Sequence, residues 1–295
     1  MKNQKTHDLQ SRAYAPALCF LVCGSLLAFD SAAQEDASKK ALTPEQQSTK
    51  TEVWEPVPPS VSVPESGVPS DAIVLFHGTD LDAWEAEEGG PAEWHVEDGV
   101  MTVNRGAGGI RTRHDFCDVQ LYLEWRSPED LEGMDGQDRG NSGVFLQERY
   151  EVQVLDSYDN PTYPNGQAAS IYKQHIPLVN ASRPPGEWQS YNILYTAPRF
   201  DDAGALESPA YITVLHNGVV VQHHAEVQGT TEWIGEPNYD EAHGCAPGSP
   251  PCRQTQLHDH GVAEELDDGV GVLLAQDLAH PLLVRGVGIG VQQAD

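Results

Sequence analysis

The chain has 295 residues, of which 39% are hydrophobic, and it carries a formal net charge of -28 from 45 acidic and 17 basic residues. This length allows one large β domain or two smaller domains, and the apolar content suffices for a core but not for a membrane protein. So acidic a chain makes nucleic acids and anionic membrane surfaces poor partners.

The N-terminus has the pattern of a secretory signal. Three basic residues precede the apolar run 17–29, and small residues follow up to Ala33, where a signal peptidase would cleave. We therefore predict a signal peptide over residues 1–33 and a secreted or periplasmic protein. A lipid anchor on Cys23 is a second option, although a bulky residue precedes this cysteine.

Residues 34–70 are rich in Pro, Ser, Glu and Lys, which predicts a flexible tether. Around Trp54 the alternative is an N-terminal strand that packs on the following domain. Residues 71–295 then form the folded domain, including an insertion at about 233–268. Its short apolar or alternating segments lack βαβ alternation, and this indicates an all-β antiparallel sandwich or barrel. One jelly-roll-like β-sandwich is the simplest arrangement for this length.

The strand predictions rest on alternating or apolar runs that turn residues separate. Asp98-Gly99 and Asn217-Gly218 are the strongest hairpin signals, because both dipeptides favour the tight turns that join antiparallel strands. In chain order, the predicted strands are 73–76, 94–97, 100–103, 119–126, two short strands within 141–156, 187–196, 211–216, 219–224, 270–275 and 282–291.

The acidic insertion contains two cysteines and a run of histidines. Its turn-rich loop between Cys245 and Cys252 predicts a disulfide between these two residues, which would leave Cys117 unpaired. His258 and His260 could bind a metal ion from one strand face. The alternative is that this short His-Asp-His run is merely solvated.

Glu151 and Gln153 are the first candidates for chemistry. Residues two apart share one face of a strand, and the opposite face here carries Tyr150, Val152 and Val154. A carboxylate beside an amide suits a sugar, which offers many hydroxyl groups. The alternative is an ordinary solvated face of an antiparallel sheet.

Several pieces of the sequence, taken in order, resemble a known family. They include Leu75-Phe76-His77-Gly78-Thr79-Asp80-Leu81, Leu123-Glu124-Trp125-Arg126, Asn141-Ser142-Gly143-Val144-Phe145, Tyr150-Glu151-Val152-Gln153-Val154-Leu155-Asp156 and Gly186-Glu187-Trp188. Their shared order is similar to the 3-keto-disaccharide hydrolase (3-keto-glucoside 1,2-lyase / 2-hydroxy-glucal hydratase) family over about residues 73–228. The resemblance implies a concanavalin-like jelly-roll β-sandwich and an exported enzyme that acts on oxidised sugars.

The chemistry implied by the family starts from a ketone at C3 of a glycoside, which acidifies the proton on C2. A base removes this proton, the C1 aglycone leaves by elimination, and water adds back. The enolate oxygen needs a hydrogen-bond donor or a cation, a role that a divalent metal ion could fill. No other cofactor is implied.

The resemblance implies Glu151 as the base and Asp156 as an acid, a metal ligand or simply a turn residue. It implies a substrate-binding set consisting of Arg126, Asn141, Gln153, Gln276, Asp277 and Arg285. Tyr172 and Lys173 join this set because they follow another predicted strand and would rim the groove. Near the C-terminus Leu278 stands where the family has a histidine. This departure supports the alternative of a non-catalytic carbohydrate-binding module on the same fold. A glycoside hydrolase with Glu151 and Asp156 as paired carboxylates is a third reading.

Overall fold

The computed structural model describes residues 41–65, 68–104, 106–131 and 133–243, and the backbone of three further strands. Several predicted features lie outside these residues, namely the signal peptide, Cys23, Cys245, Cys252, His260, Gln276, Asp277 and Arg285. The chain divides into two compact units, Met1–Pro58 and Pro59–Asp295.

The first unit contains one short helix, α1 (Pro44–Ser48), followed by a 3-10 turn at Thr49–Thr51. A capping box starts the helix, because Thr43 and Gln46 exchange hydrogen bonds between side chain and backbone at 3.1 and 3.3 Å. Every described side chain here is exposed, including Trp54 at 78%. No strand forms around Trp54 in the described part of this unit. None of the helices in the described ranges is long and apolar enough to cross a bilayer.

The second unit consists almost entirely of antiparallel strands. They are β1 (Ala72–Val74), β2 (Trp84–Ala86), β3 (His95–Glu97), β4 (Val100–Thr102), β5 (Ile110–Asp115), β6 (Val119–Arg126), β7 (Ser142–Leu146), β8 (Tyr150–Val154), β9 (Gln189–Thr196), β10 (Arg199–Phe200), β11 (Leu206–Ser208), β12 (Tyr211–His216), β13 (Val219–Glu226), β14 (Gln254–Asp259), β15 (Gly271–Leu273) and β16 (Gly288–Gly290).

These strands form two main sheets. The nine-stranded sheet has the order β13-β12-β9-β6-β15-β4-β3, and β16 joins it by pairing with β6 and β1. The five-stranded sheet has the order β2-β5-β14-β7-β8, and β10 and β11 form a separate ribbon. Both predicted hairpins are confirmed: Asp98 and Asn217 have φ values of 49° and 52°, and each is followed by a glycine with positive φ.

The two main sheets share one hydrophobic core. Trp125 and Tyr191 of the nine-stranded sheet and Tyr150 and Val152 of the five-stranded sheet are at most 1% exposed. The Tyr191 hydroxyl donates a hydrogen bond to the Gln153 carbonyl at 2.8 Å, which ties the sheets together where burial removes water. The predicted all-β sandwich is therefore confirmed at this level, whereas the jelly-roll and concanavalin-like topology remains an expectation.

The structure adds one strand to the predicted set and corrects the expectation that Cys117 is unpaired. Strand β14 lies inside the insertion and occupies the centre of the five-stranded sheet, between β5 and β7. Its mixed sequence, QTQLHD, lacks the apolar alternation that marks the other strands, so it was not predicted as a strand. In addition, Cys117 is disulfide-bonded, and its partner lies outside the described residues.

Candidate functional site

Strand β8 places Glu151 and Gln153 on the face opposite the core, as their spacing predicts. Tyr150, Val152 and Val154 point into the core. However, Glu151 is only 2% exposed and Gln153 only 1% exposed, so this second face is not solvated. The neighbouring loops therefore have to cover it.

The segment that follows β8 returns along its outer edge. The Gln153 N–H donates to the Ser170 carbonyl at 3.0 Å, and the Ala169 N–H donates to the Gln153 carbonyl at 2.8 Å. Two residues further, the Tyr172 N–H donates to the Glu151 carbonyl at 3.1 Å. The last strand of the sheet is thus hydrogen-bonded on both sides, which removes the open edge that it would otherwise present.

Gly143 on β7 makes room for the Glu151 carboxylate. Gly143 pairs with Gln153 across the hairpin, two register steps from the pair formed by Phe145 and Glu151. A Cβ atom at position 143 would lie 2.5 Å from Glu151 Oε1 and 2.9 Å from the Phe145 ring. The carboxylate therefore occupies the space that any larger residue at position 143 would fill.

An amide cluster adjoins this carboxylate. With the Gln153 amide oriented so that its nitrogen faces acceptors, it donates to Glu151 Oε1 at 2.8 Å and to the Ser142 carbonyl at 2.9 Å. The side chains of Gln137 and Asn141 lie 3.1 and 3.3 Å from the same amide. The structure thus brings together three of the predicted residues, Asn141, Glu151 and Gln153.

A cavity of about 470 Å³ lies next to this cluster. Tyr172 and Lys173, both predicted to rim the groove, are part of its lining. The Tyr172 hydroxyl lies 2.7 Å from that of Tyr163. Burial, the hydrogen bond with Tyr163 and the nearby charge of Glu151 all raise the pKa of Tyr172. Its hydroxyl therefore stays protonated at neutral pH and can donate a hydrogen bond. The lining consists of Tyr163, Asn165, Tyr172, Lys173, Gln174, Gln228, Glu232, Gly235, Glu236 and Pro237.

Both loops that border the cavity are attached to the backbone of Glu151. Tyr172 donates its N–H to the Glu151 carbonyl, and the Glu151 N–H donates to Thr231 Oγ1 at 3.0 Å. Glu151 is not itself a lining residue. The carboxylate is therefore adjacent to the cavity and covered, rather than open to it.

Asp156 lies just beyond β8 and is engaged in a turn. Its carboxylate accepts hydrogen bonds from Arg139 Nε at 2.9 Å and from the Tyr158 N–H at 3.1 Å. The Asn160 side chain donates to its carbonyl at 2.7 Å. These bonds account for a carboxylate that is 2% exposed, and they support the turn role that the sequence left open. A catalytic role for Asp156 stays a prediction.

Arg126 lies away from this cluster. It follows the buried Trp125 on β6, so it faces outward from the nine-stranded sheet, where it is exposed and its guanidinium stacks 4.8 Å from the Trp188 ring centre. Glu151 faces outward from the other sheet. The structure therefore does not bring Arg126 and Glu151 together, because strand alternation places them on opposite faces of the sandwich.

The backbone of the histidine run pairs with strand β7, next to the amide cluster. His258 on β14 is the register partner of Gly143, and Asp259 is the partner of Ser142. Among the described side chains, no group of three His, Cys, Asp or Glu residues is arranged to hold a metal ion. The predicted metal site at His258 and His260 stays a prediction.

Sequence reasoning missed Gln137, Tyr163 and Thr231. All three lie outside the strands, Gln137 in a short 3-10 turn at Gly136–Asp138, so no strand periodicity marks them. The only local signal is the turn-forming run Pro164-Asn165-Gly166 after Tyr163, which forms a 3-10 turn.

Comparisons with known proteins agree with this architecture. The profile of a family described as the 3-keto-alpha-glucoside-1,2-lyase-like domain matches residues 71–262. A 3-keto-disaccharide hydrolase of Bacteroides thetaiotaomicron is 24% identical over 225 residues, which cover 62% of this chain and 72% of that protein. The crystal structure of a candidate glycosyl hydrolase from Parabacteroides distasonis superposes on this chain with a TM-score of 0.69 and 46% sequence identity. The match covers 84% of this chain and 96% of that chain.

Proposed function

We propose that this chain, which belongs to the 3-keto-alpha-glucoside-1,2-lyase-like domain family, is an exported glycoside-processing enzyme that cleaves 3-keto-glycosides. The reaction would proceed by C2 proton abstraction, C1 elimination and hydration. The name of the Bacteroides relative and the signal-like N-terminus support this proposal.

The observation that carries the proposal is the position of the Glu151 carboxylate. It lies in the space left by Gly143, accepts a hydrogen bond from Gln153, and belongs to the residue whose backbone anchors both cavity loops. The cavity of about 470 Å³ is of the size that small-molecule sites have. Proton abstraction requires a base within hydrogen-bond reach of the substrate, so the proposal also requires that the groups covering Glu151 admit the substrate to its carboxylate.

Two roles in this reaction have a candidate group, the base and the hydrogen-bond donor. Glu151 would take the C2 proton, and the electrons of the C–H bond would form the enolate of the C3 ketone. The enolate would then restore the ketone, form the C1–C2 double bond and expel the aglycone oxygen from C1, which takes up a proton. The Tyr172 hydroxyl, which lines the cavity, would donate a hydrogen bond to the ketone or to the leaving oxygen. Water adds its hydroxyl to C1 and its proton to C2, so the net reaction is hydrolysis.

A chromogenic 3-keto-glucoside and the matching unoxidised glucoside test this reaction in D₂O. We expect aglycone release from the oxidised substrate alone, with one deuterium incorporated at C2 of the product. Glu151→Gln should lower this release by at least about 100-fold. Glu207→Gln, an exposed carboxylate on the β10–β11 ribbon, serves as the control and should retain full activity.

Three outcomes would contradict the proposal. Release without deuterium at C2, or equal release from the unoxidised glucoside, would indicate direct glycoside hydrolysis. Undiminished release by Glu151→Gln would exclude Glu151 as the base. Repeating the assay with a chelator, followed by re-addition of divalent ions, tests the metal-dependent version.

The 2% exposure of Glu151 and its absence from the cavity lining favour a second candidate, a non-catalytic carbohydrate-binding module. This module would bind glycosides through the cavity residues without any turnover. Calorimetry with unreactive glycosides, alongside the release assay, separates the two candidates.

A further inference from the structure

Two large apolar side chains are exposed beside the cavity and have no role in the proposed reaction. Trp233 is 73% exposed and Ile234 is 76% exposed. They are neighbours at the tip of a loop over residues 229–238, here called the tip loop. Exposing the apolar surface of two adjacent large side chains to water costs free energy, and such surface is often a binding site.

The tip loop is closed at its base. The Thr230 N–H donates to the Asn238 carbonyl at 2.9 Å. Gly229 has a φ of 140°, and a Cβ atom there would lie 2.3 Å from backbone atoms of Asn238, so only glycine allows this close approach. The next residue, Thr231, donates its N–H to the Arg149 carbonyl at 2.7 Å and accepts the N–H of Glu151. The base of the loop is thus fixed to the strand that carries Glu151.

The remainder of the tip loop forms one wall of the cavity. Glu232 on one side of the apolar pair, and residues 235–237 on the other, are lining residues. Lys173 holds the tip itself, because its Nζ donates to the Trp233 carbonyl at 2.6 Å while lying 5.5 Å from the Tyr172 ring centre. Trp233 and Ile234 are therefore presented at the edge of the pocket that Tyr172 also lines.

We propose that Trp233 and Ile234 form the aglycone subsite and select substrates with a neutral aromatic aglycone. This inference rests on the proposed function, because an aglycone exists only if the pocket holds a glycoside. An aromatic ring stacks favourably on an indole and gains further apolar contact from an isoleucine. A pyranose ring can also stack on an indole, but its hydroxyl groups need polar partners that these two side chains do not supply, so the pair favours an aromatic ring. Glu232 and Glu236 beside them would repel an anionic aglycone.

The test compares 3-keto-glucosides that carry phenyl, methyl or glucosyl aglycones. We expect Trp233→Ala to lower kcat/KM about tenfold for the phenyl substrate and to leave the other two within about twofold. Trp233→Phe should retain most of the preference for phenyl. Leu178→Ala removes a similarly exposed apolar side chain, at 66% exposure and outside the cavity lining, and should change none of the three values.

A uniform loss over all three substrates, an equal loss for phenyl and glucosyl, or no loss for phenyl would overturn the subsite. A binding measurement separates this failure from failure of the proposed function. Calorimetry with phenyl and methyl glucoside, which need not react, should show tighter binding of the phenyl compound in the wild-type chain but not in Trp233→Ala. Equal affinities in the wild-type chain would overturn the inference even if the enzyme turns over its 3-keto substrates.

Discussion

Replacing Gly143 with alanine tests whether the space beside Glu151 positions its carboxylate. The glycine has no positive φ, so its backbone conformation is open to alanine. The new methyl group would meet Glu151 Oε1 at 2.5 Å, Glu151 Cδ at 3.0 Å and the Phe145 ring at 2.9 Å. Unlike a truncation of Glu151, this change keeps the carboxylate and alters only its position.

The geometry sets the size of the effect. Ordinary contacts of a Cβ atom begin at 3.4 Å, so the Oε1 atom has to retreat by about 1 Å. A displacement of about 1 Å in a reacting group can lower turnover by about 100-fold. Overpacking of a buried site costs about 1–3 kcal/mol of unfolding free energy. We therefore expect a large loss of activity with a moderate loss of stability.

A double-mutant cycle identifies the cause. Gly143→Ala combined with Glu151→Gln should be no less active than Glu151→Gln alone, because the two changes remove the same function. Gly143→Ala combined with Glu151→Ala should regain stability in urea unfolding, since the colliding carboxylate is absent. Full activity in Gly143→Ala, or activity losses that simply add in the first double mutant, would refute the positioning role.

Three further predictions concern other parts of the second unit. Burial, with a smaller effect of Arg183, lowers the pKa of His216 from 6.5 to about 4. The unfolded state therefore binds a proton first, and the free energy of unfolding should fall by about 3 kcal/mol between pH 6.5 and pH 4. His216→Gln should flatten this dependence in urea titrations. Gly229→Ala should lower the free energy of unfolding by at least about 2 kcal/mol in the same assay, because its Cβ atom would collide with the Asn238 backbone. Unchanged stability would contradict the closure of the tip loop. Gln254 pairs with Asp115 in antiparallel register, Cys252 precedes Gln254 by two residues, and Cys117 follows Asp115 by two. Non-reducing peptide mapping should therefore join Cys117, which is disulfide-bonded, to Cys252. A peptide that joins Cys117 to Cys245 would be evidence against this register argument.

Local sequence patterns predicted most of the nine-stranded sheet. The alternation of Val119, Leu121, Leu123 and Trp125 identified β6, because one face of this strand packs on the core while the other is wetter. The dipeptide Asn217-Gly218 located the β12–β13 hairpin, since its two residues adopt the positive φ values that such a turn requires. In both cases the information is carried by residues close together in sequence.

The five-stranded sheet was harder to predict, because its central strand is weakly patterned. Strand β14 combines polar residues with a single leucine, and its place between β5 and β7 depends on pairing with residues more than 100 positions away. Short β10 and β11 were missed for a related reason: a two- or three-residue strand contains too few positions for alternation to be visible.

The candidate site shows where local reasoning ends. Period-two spacing assigned Glu151 and Gln153 to one face of β8, and the structure has them there. The same spacing could not reveal that Gly143 leaves room for the carboxylate, or that Tyr172 and Thr231 attach two loops to the Glu151 backbone. Burial of this face results from those loops and not from the strand. A polar pair that looks solvated in the sequence is therefore enclosed, and enclosing a carboxylate is favourable only because the cluster supplies hydrogen bonds that replace water.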